Sequence, residues 1–315
     1  MHRKWLQISF YISLFAIVAA LVFLVYLKFV LPDVGEAPDL KIAPSPVRLA
    51  RGRYLVWHVA RCMDCHSDRN LHLEAGPVVR GTQGEGGEIF DETKGLPGRF
   101  VAKNITPYHL GHWTDGEIFR AITCGVRRDG KALYPAMPYL NYGQLDTGDI
   151  YDIIAYIRTL PGIPKKIAPS RADFPMNWEI NTLPRKPDFH PRPSRKDQVK
   201  YGRYLVLMAN CAGCHNEDFS GGDKFPLATG GIVSAANITP DLATGIGAWT
   251  RMDFIHRFKS FADSCFKPRI ISPDTYNTVM PWTFFAGMKS GDIAAIYAYL
   301  HTVKPVDHAV TRFIP

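Results

Sequence analysis

The sequence is short of cysteine and of charge, and it has a single long hydrophobic run. Its 315 residues contain six cysteines, too few for a disulfide scaffold of this length. Charged residues make up 21% and hydrophobic residues 46%, which excludes a wholly disordered chain, and one long apolar run excludes a polytopic transporter. Proline is frequent by contrast, with 24 residues. At roughly 100–200 residues per domain, the length allows two domains and their connections.

The basic excess of the chain is concentrated in one segment. The formal net charge is +8, from 37 Lys and Arg against 29 Asp and Glu. Residues 161–197 contain eight basic and four acidic residues, so half of the excess lies there. A nucleic-acid-binding protein usually carries its basic stripe on a folded face with exposed aromatic side chains. We therefore expect no nucleic acid among the partners.

The long hydrophobic run lies near the N-terminus. Ile8 to Leu27 is uncharged throughout, and a helix of that length spans about 30 Å, the hydrocarbon thickness of a bilayer. Basic residues precede it, so the positive-inside rule leaves the N-terminus in the cytoplasm and exports the rest. The alternative is a cleaved signal peptide, but the run exceeds the usual length of about 7–15 residues and no A-x-A site follows. We interpret residues 1–30 as a single-pass anchor and the proline-rich residues 31–47 as a tether.

The rest of the chain contains an internal repeat. Six short motifs occur twice in the same order, which indicates a duplicated domain. We place the copies at 48–160 and 198–315, separated by a proline-rich basic linker at 161–197. The sequence leaves open whether this linker packs on a surface or is a solvated spacer. The motifs begin at Gly52, Cys62, Asn104, Trp113, Met137 and Gly148 in the first copy, and at Gly202, Cys211, Asn237, Trp249, Met280 and Gly291 in the second.

Each copy contains the pattern Cys-x-x-Cys-His, the attachment signature of c-type haem. Two thiols three residues apart at the start of a helix reach the two vinyl groups of one haem, and the adjacent His supplies a nitrogen to the iron. A zinc site would need a second Cys pair in each copy, and a thioredoxin-like site would need a βαβ setting. We therefore predict two covalently bound haem c groups. The thioether residues are Cys62, Cys65, Cys211 and Cys214, and the proximal ligands are His66 and His215.

A Met-Pro pair in each copy offers a sixth iron ligand. Met137 lies 71 residues after His66, and Met280 lies 65 residues after His215. Proline has a fixed φ and no N–H, so the Met stands on a stiff loop. A lone Met is more often a core filler, but both copies keep the pair before the last helix. We predict Met137 and Met280 as ligands. The rival residues, none of which recurs at a matching marker, are His109, His112, His256 and Met288.

Both copies resemble class I cytochrome c domains in these motifs, over about 48–160 and 198–310. The resemblance implies an all-α fold: two tandem class I cytochrome c domains after a single N-terminal transmembrane helix. It also implies that the first and last helices of each domain cross, with Gly52 and Gly202 allowing Tyr156 and Tyr299 to approach. The segments around Asn104, Trp113, Asn237 and Trp249 would line the haem-propionate edge, and ordinary packing is the alternative.

The whole chain is similar to the membrane-anchored multihaem cytochrome subunits of periplasmic alcohol, aldehyde and gluconate dehydrogenases, which commonly carry three such domains. The similarity implies an electron relay in the periplasm, on the bacterial inner membrane, with a dehydrogenase, a quinol-oxidising complex or a terminal oxidase as redox partner. It implies no catalytic residue in this chain. Two alternatives stay open: a structural subunit whose haems are incidental, and a dihaem redox enzyme of the peroxidase or thiosulfate dehydrogenase type, with Cys124 as a candidate ligand. Cys124 and Cys265 belong to no haem motif, and the sequence permits either a disulfide or two buried thiols.

Overall fold

The computed structural model describes residues 2–262, 264 and 266–315. Helices are the dominant elements, and π-helical turns at Tyr26–Val30 and Leu55–Val59 extend the first two of them. The helices are α1 (His2–Val25), α2 (Pro46–Tyr54), α3 (Cys62–Cys65), α4 (Pro107–Leu110), α5 (Asp115–Cys124), α6 (Tyr139–Tyr142), α7 (Thr147–Ile157), α8 (Met176–Glu179), α9 (Gln198–Met208), α10 (Ala212–His215), α11 (Arg251–Lys259), α12 (Trp282–Phe285) and α13 (Ser290–Leu300).

Two small antiparallel sheets accompany the helices, so the expectation of an all-α fold is wrong. In each sheet a hairpin is joined by a third strand from the segment after the last helix of that half, in the orders β1-β2-β3 and β4-β5-β6. These strands have two to four residues, too short for an alternating pattern in the sequence. They are β1 (Ile89–Phe90), β2 (Gly98–Val101), β3 (Arg171–Ala172), β4 (Lys224–Pro226), β5 (Ile232–Ser234) and β6 (Phe313–Ile314).

The two halves of the chain share one order of elements. Each has a long first helix, a short helix at the Cys motif, a hairpin, a capped helix, a short helix after Met-Pro, a terminal helix and a third strand. The capped helices α5 and α11 begin alike, because Thr114 and Thr250 each form a reciprocal capping box with the acidic residue three positions later. This common order agrees with the repeat found in the sequence.

The first and last helices of each half cross at a glycine, as the resemblance implied. A Cβ placed on Gly52 of α2 would collide with the backbone oxygen of Asp152 in α7 and lie 2.8 Å from Tyr156 Cβ. A Cβ on Gly202 of α9 would likewise collide with a backbone oxygen of α13 and lie 3.0 Å from Tyr299 Cβ. Because glycine lacks a side chain, the two backbones touch at both crossings.

The two halves are held together by reciprocal hydrogen bonds between equivalent residues. Tyr54 of the first half donates to Asp292 Oδ2 of the second at 2.7 Å. Tyr204, which occupies the place of Tyr54 in the repeat, donates to Asp149 Oδ2 of the first half, also at 2.7 Å. Both carboxylates are buried, and one hydrophobic core runs through both halves. The halves therefore face each other with a local two-fold relation, as equivalent patches do in an isologous dimer.

The tether and the linker both pack against the folded part. In the tether, Ile42 N–H donates to Asp115 Oδ2 at 2.8 Å. In the linker, Lys165 forms an ion pair with Glu85 of the first half at 2.5 Å, and Asn181 Nδ2 donates to Leu27 O, at the end of the N-terminal helix, at 3.1 Å. The question left open by the sequence is thus answered in favour of a packed linker. The helix Arg3–Val30 is long and apolar enough to cross a membrane.

Candidate haem sites

The first Cys-x-x-Cys-His motif opens onto a large cavity. Its volume is about 1120 Å³, and a ligand pocket typically has about 300–1,000 Å³. The sequence-predicted residues Cys62, Cys65, His66 and Met137 all line it, although Met137 is far away along the chain. Side chains of β1, β2 and the linker complete its wall, among them Phe90, Phe100, Phe174 and Asn177.

Both motifs begin with the same backbone turn. The residue before the first Cys has a positive φ in each half, 46° at Arg61 and 53° at Asn210. Such a left-handed residue is uncommon outside glycine and here reverses the chain between the first helix and the motif. In the first motif the short helix α3 then brings Cys62 and Cys65 onto one face, since residues three apart are neighbours on a helix.

The two motif histidines are oriented for metal binding through Nε2. His66 Nδ1 lies 2.6 Å from Lys103 O, and His215 Nδ1 lies 2.8 Å from Ala236 O. A carbonyl oxygen only accepts, so Nδ1 carries the hydrogen and Nε2 keeps its lone pair. Burial lowers the pKa of both imidazoles, which favours the neutral form that a metal ligand needs.

The four thiols are partly buried and protonated at neutral pH. Burial raises the pKa of Cys62, Cys65 and Cys211 to about 12, and it also raises that of Cys214. Within the described residues no group of three or more His, Cys, Asp or Glu side chains is placed to hold a bare metal ion. In the first half, two thiols, one His and one Met line a single large cavity, a set that fits a covalently attached haem better than a tetrahedral Cys and His zinc site.

The Met-Pro pairs form the same tight turn in both halves. Tyr139 N–H donates to Met137 O, and Trp282 N–H donates to Met280 O, each at 2.7 Å. The proline between them has φ −78° and ψ 53° in the first half, and φ −78° and ψ 59° in the second. These are the angles of an inverse γ-turn, about −75° and +65°. Both Met side chains are half-buried and pack on the hydrophobic core.

The Asn-Ile-Thr-Pro segments have a structural role. Asn104 accepts from Thr106 N at 2.9 Å and donates to Ile163 O at 2.8 Å, and Asn237 makes the equivalent bonds to Thr239 N and Val306 O at 2.9 and 2.7 Å. Each buried amide thus ties its turn to the chain that follows the last helix. Asn104 and Trp113 also line the first cavity, whereas Trp249 lies in an open groove on α11.

Two cysteines, Cys124 and Cys265, lie outside the motifs. Cys124 is a free, buried thiol whose Sγ lies 3.5 Å from Thr123 Oγ1, and it is not among the described residues that line the cavity. Cys265 lies outside the described residues.

Among the cavity residues that sequence reasoning missed, three polar ones lie close to the Cys motifs. Arg61, Tyr142 and Asn210 all line the first cavity, and Tyr142 donates to Ala60 O at 3.2 Å. Arg61 and Asn210 stand at the same position of the repeat but differ in residue type, so the repeat contained no signal for them. For Arg61 and Asn210 the only clue in the sequence was that each directly precedes the first Cys of a motif.

Comparison with known proteins relates part of this chain to a protein family. Residues 199–304 match the family model for cytochrome c. The chain is 26% identical over 304 residues to the cytochrome c subunit of alcohol dehydrogenase (quinone) from Gluconacetobacter polyoxogenes, covering 86% of this chain and 58% of that protein. It is 29% identical over 230 residues to the fructose dehydrogenase cytochrome subunit of Gluconobacter japonicus, covering 67% and 44%. It is 28% identical over 175 residues to a diheme cytochrome c-type protein of Cereibacter sphaeroides, covering 53% and 56%.

The chain spans about half the length of these relatives, between 44% and 58%. The family match covers the second Cys-x-x-Cys-His motif, the Asn-Ile-Thr-Pro segment, the Met-Pro pair and the terminal helix. Residues 199–304 are therefore a cytochrome c domain, which implies covalently bound haem c, and the chain as a whole is similar to cytochrome c subunits of dehydrogenases.

Proposed function

We propose that this chain is a membrane-anchored dihaem cytochrome c that relays electrons in the periplasm as a subunit of a respiratory or dehydrogenase complex. The observation that carries the proposal is the equivalence of the two motif regions. In each half the motif histidine has its Nδ1 on a backbone carbonyl, and the Met-Pro pair forms the same inverse γ-turn. One half matches the cytochrome c family, and the other half has the elements of that half in the same order, with the short helix α4 in addition.

On this proposal residues 48–160 are a second cytochrome c domain, joined by the linker 161–197 to the domain at 198–315. The first haem is bound through Cys62 and Cys65. The cavity beside that motif, lined also by Met137, supports this assignment.

The residues of each site have separate roles. The thiols hold the haem covalently, at Cys211 and Cys214 in the second half, and the histidine Nε2 atoms are the proximal ligands. The carbonyls on Nδ1 fix the ring orientation and the tautomer. Bound haem c supplies a one-electron couple, whose potential a thioether ligand from Met137 or Met280 raises.

The N-terminal helix supports the proposed location. Its apolar side chains are exposed along most of its length, as expected of a helix that faces lipid. We place it across a bacterial inner membrane with the haem domains in the periplasm. There the chain meets a dehydrogenase, a quinol-oxidising complex or a terminal oxidase, and anchoring raises the local concentration of any membrane-bound partner.

The relay is favoured over a redox enzyme because each motif has a Met-Pro turn of the same geometry to complete the iron coordination. An enzyme of the peroxidase type needs an open or displaceable position on one iron. The thiosulfate dehydrogenase type would need Cys124 as a ligand, and that thiol lies against Thr123 instead.

The test begins with a haem count on the full chain purified in detergent. We expect two haems, one after the double change Cys62→Ser with Cys65→Ser, and one after Cys211→Ser with Cys214→Ser. Cys124→Ser is the matched control and should keep both haems. A wild-type chain whose colour is extracted by acid acetone contradicts covalent attachment.

A second measurement separates the relay from an enzyme. We expect a co-purifying dehydrogenase to reduce both haems rapidly, while the isolated chain turns over neither peroxide nor thiosulfate. Steady turnover that Cys124→Ser or Met137→Ala abolishes, with both haems retained, refutes the relay.

A further inference from the structure

One buried arginine touches both halves of the molecule beside the two Cys motifs. Arg61 directly precedes Cys62, and its Nη1 forms an ion pair with Asp64 Oδ2 at 2.5 Å within the first motif. Its Nη2 lies 3.4 Å from the backbone oxygen of Ala209, two residues before Cys211 of the second motif. Its guanidinium also lies 5.5 Å from the ring centre of Phe285, in the short helix after the second Met-Pro pair. The side chain thus contacts structure that belongs to both predicted haem sites.

The equivalent residue of the second half contacts the first half through an uncharged side chain. Asn210 precedes Cys211, and its Oδ1 accepts from Asn141 Nδ2 at 2.9 Å. Asn141 lies four residues after Met137, and Asn210 lines the first cavity. The two motifs are therefore neighbours in space, and of the two equivalent positions only the one in the first half carries a charge.

The cluster around Arg61 has a net positive charge. Asp64 is buried between two guanidinium groups, with Arg61 on one oxygen and Arg69 on the other, each at 2.5 Å. Two cations and one carboxylate leave one positive charge in a poorly hydrated place. Within the described part of the chain the Nε atoms of both arginines are buried without a hydrogen-bond partner, so this charge is incompletely neutralised by the protein.

The charge acts on both motifs. The Arg61 guanidinium binds Asp64, which lies between the two cysteines of the first motif, and its Nη2 lies 3.4 Å from the backbone oxygen of Ala209, two residues before Cys211. A charge in contact with both motif regions would also act on the haem that each motif binds.

We propose that Arg61 is a shared positioning residue that raises the reduction potentials of both haem groups. The proposal rests on the proposed function in requiring one haem on each motif. An oxidised haem iron has one more positive charge than a reduced iron, so a nearby cation destabilises the oxidised form. Inside the protein this repulsion is weakly screened, because little solvent or salt separates the charges.

The test measures both midpoint potentials of the full chain by spectroscopic redox titration. We expect Arg61→Gln to lower both potentials together, and Arg61→Lys, which keeps the charge, to leave them nearer to the wild-type values. Asp64 retains Arg69 in either variant. The matched control is Arg53→Gln, on the exposed side of α2, which should shift neither potential.

The outcomes separate this proposal from the dihaem proposal. Fewer than two haems on the wild-type chain refutes the dihaem proposal itself. With two haems present, a shift of one potential alone shows that Arg61 belongs to one site. Unchanged potentials with a lower unfolding temperature show a purely structural residue, and either result overturns the proposal.

A variant of opposite sign covers the case in which Arg61→Gln does not accumulate. Asp64→Asn removes the neutralising carboxylate and keeps both guanidinium groups, so it should raise both potentials. Potentials that stay unchanged or fall in Asp64→Asn overturn the proposal.

Discussion

The two reciprocal tyrosine contacts between the halves have the same length but should differ in their contribution to stability. Asp149 accepts from Tyr204 and also binds Arg51 through two contacts of 3.0 and 2.8 Å and Arg192 at 2.6 Å. Removal of the tyrosine hydroxyl therefore leaves this buried carboxylate with two strong partners.

The carboxylate of the other contact is held mainly by its tyrosine. Asp292 accepts from Tyr54 at 2.7 Å, while Tyr201 OH lies at 3.4 Å and Arg195 at 3.8 Å. The hydroxyl of Tyr54 also accepts from Lys289 N–H at 3.1 Å. Its removal leaves a buried carboxylate poorly satisfied and a backbone N–H without this acceptor.

We expect Tyr54→Phe to cost more than Tyr204→Phe. A hydrogen bond to a charged group contributes about 1.5–3 kcal/mol to stability. Its loss destabilises the protein more when the buried carboxylate has no other strong partner than when it keeps several. We assign about 1.5 kcal/mol to Tyr204→Phe and about 3 kcal/mol to Tyr54→Phe. The assay is urea unfolding of the full chain in detergent, followed by haem absorbance, with exposed Tyr108→Phe as the control. Equal costs, or a larger cost for Tyr204→Phe, would refute the reasoning.

Three further predictions concern a helix crossing, the proposed Met ligands and a buried carboxylate. Gly202→Ala forces a methyl group into the backbone of α13 and should lower the free energy of unfolding in urea by at least about 1–3 kcal/mol. Gly291→Ala meets open space and should stabilise the protein by up to about 1 kcal/mol. Equal effects of the two changes would contradict the close crossing. Met137→His should lower one haem potential and Met280→His the other, since a second imidazole replaces a thioether; a wild-type spectrum without a Met-ligation band would exclude this ligand set. Burial alone would raise the pKa of Asp149, but its arginine partners lower it below 3.8, so its stabilisation is complete above that pH and should be lost as pH falls through the lower, folded value; acid unfolding of Asp149→Asn should lack this step.

The sequence by itself determined the repeat and predicts the chemistry of the motifs. Cys62, Cys65 and His66 lie within five residues, so their spacing alone predicts a covalently bound haem. Met137 is distant from them, and its recurrence before the last helix of each copy is what predicts it as a ligand. The crossing glycines were expected from the resemblance to class I cytochrome c domains, and the structure supplies the reason: a close approach of two backbones leaves no room for a side chain at that position.

Tertiary structure alone decided the sheets, the packing of the linker and the way the halves meet. Strands such as Ile89–Phe90 are too short for a periodic signal, and their partners are brought together by the fold. Tyr54 meets Asp292 across 238 positions, and nothing local at either residue encodes that contact. The side chain of Arg61 reaches the backbone of the second half. The repeat did not indicate this contact, because the equivalent position is occupied by Asn210. Local spacing records what a segment binds, whereas contacts between distant segments depend on packing geometry that no short pattern contains.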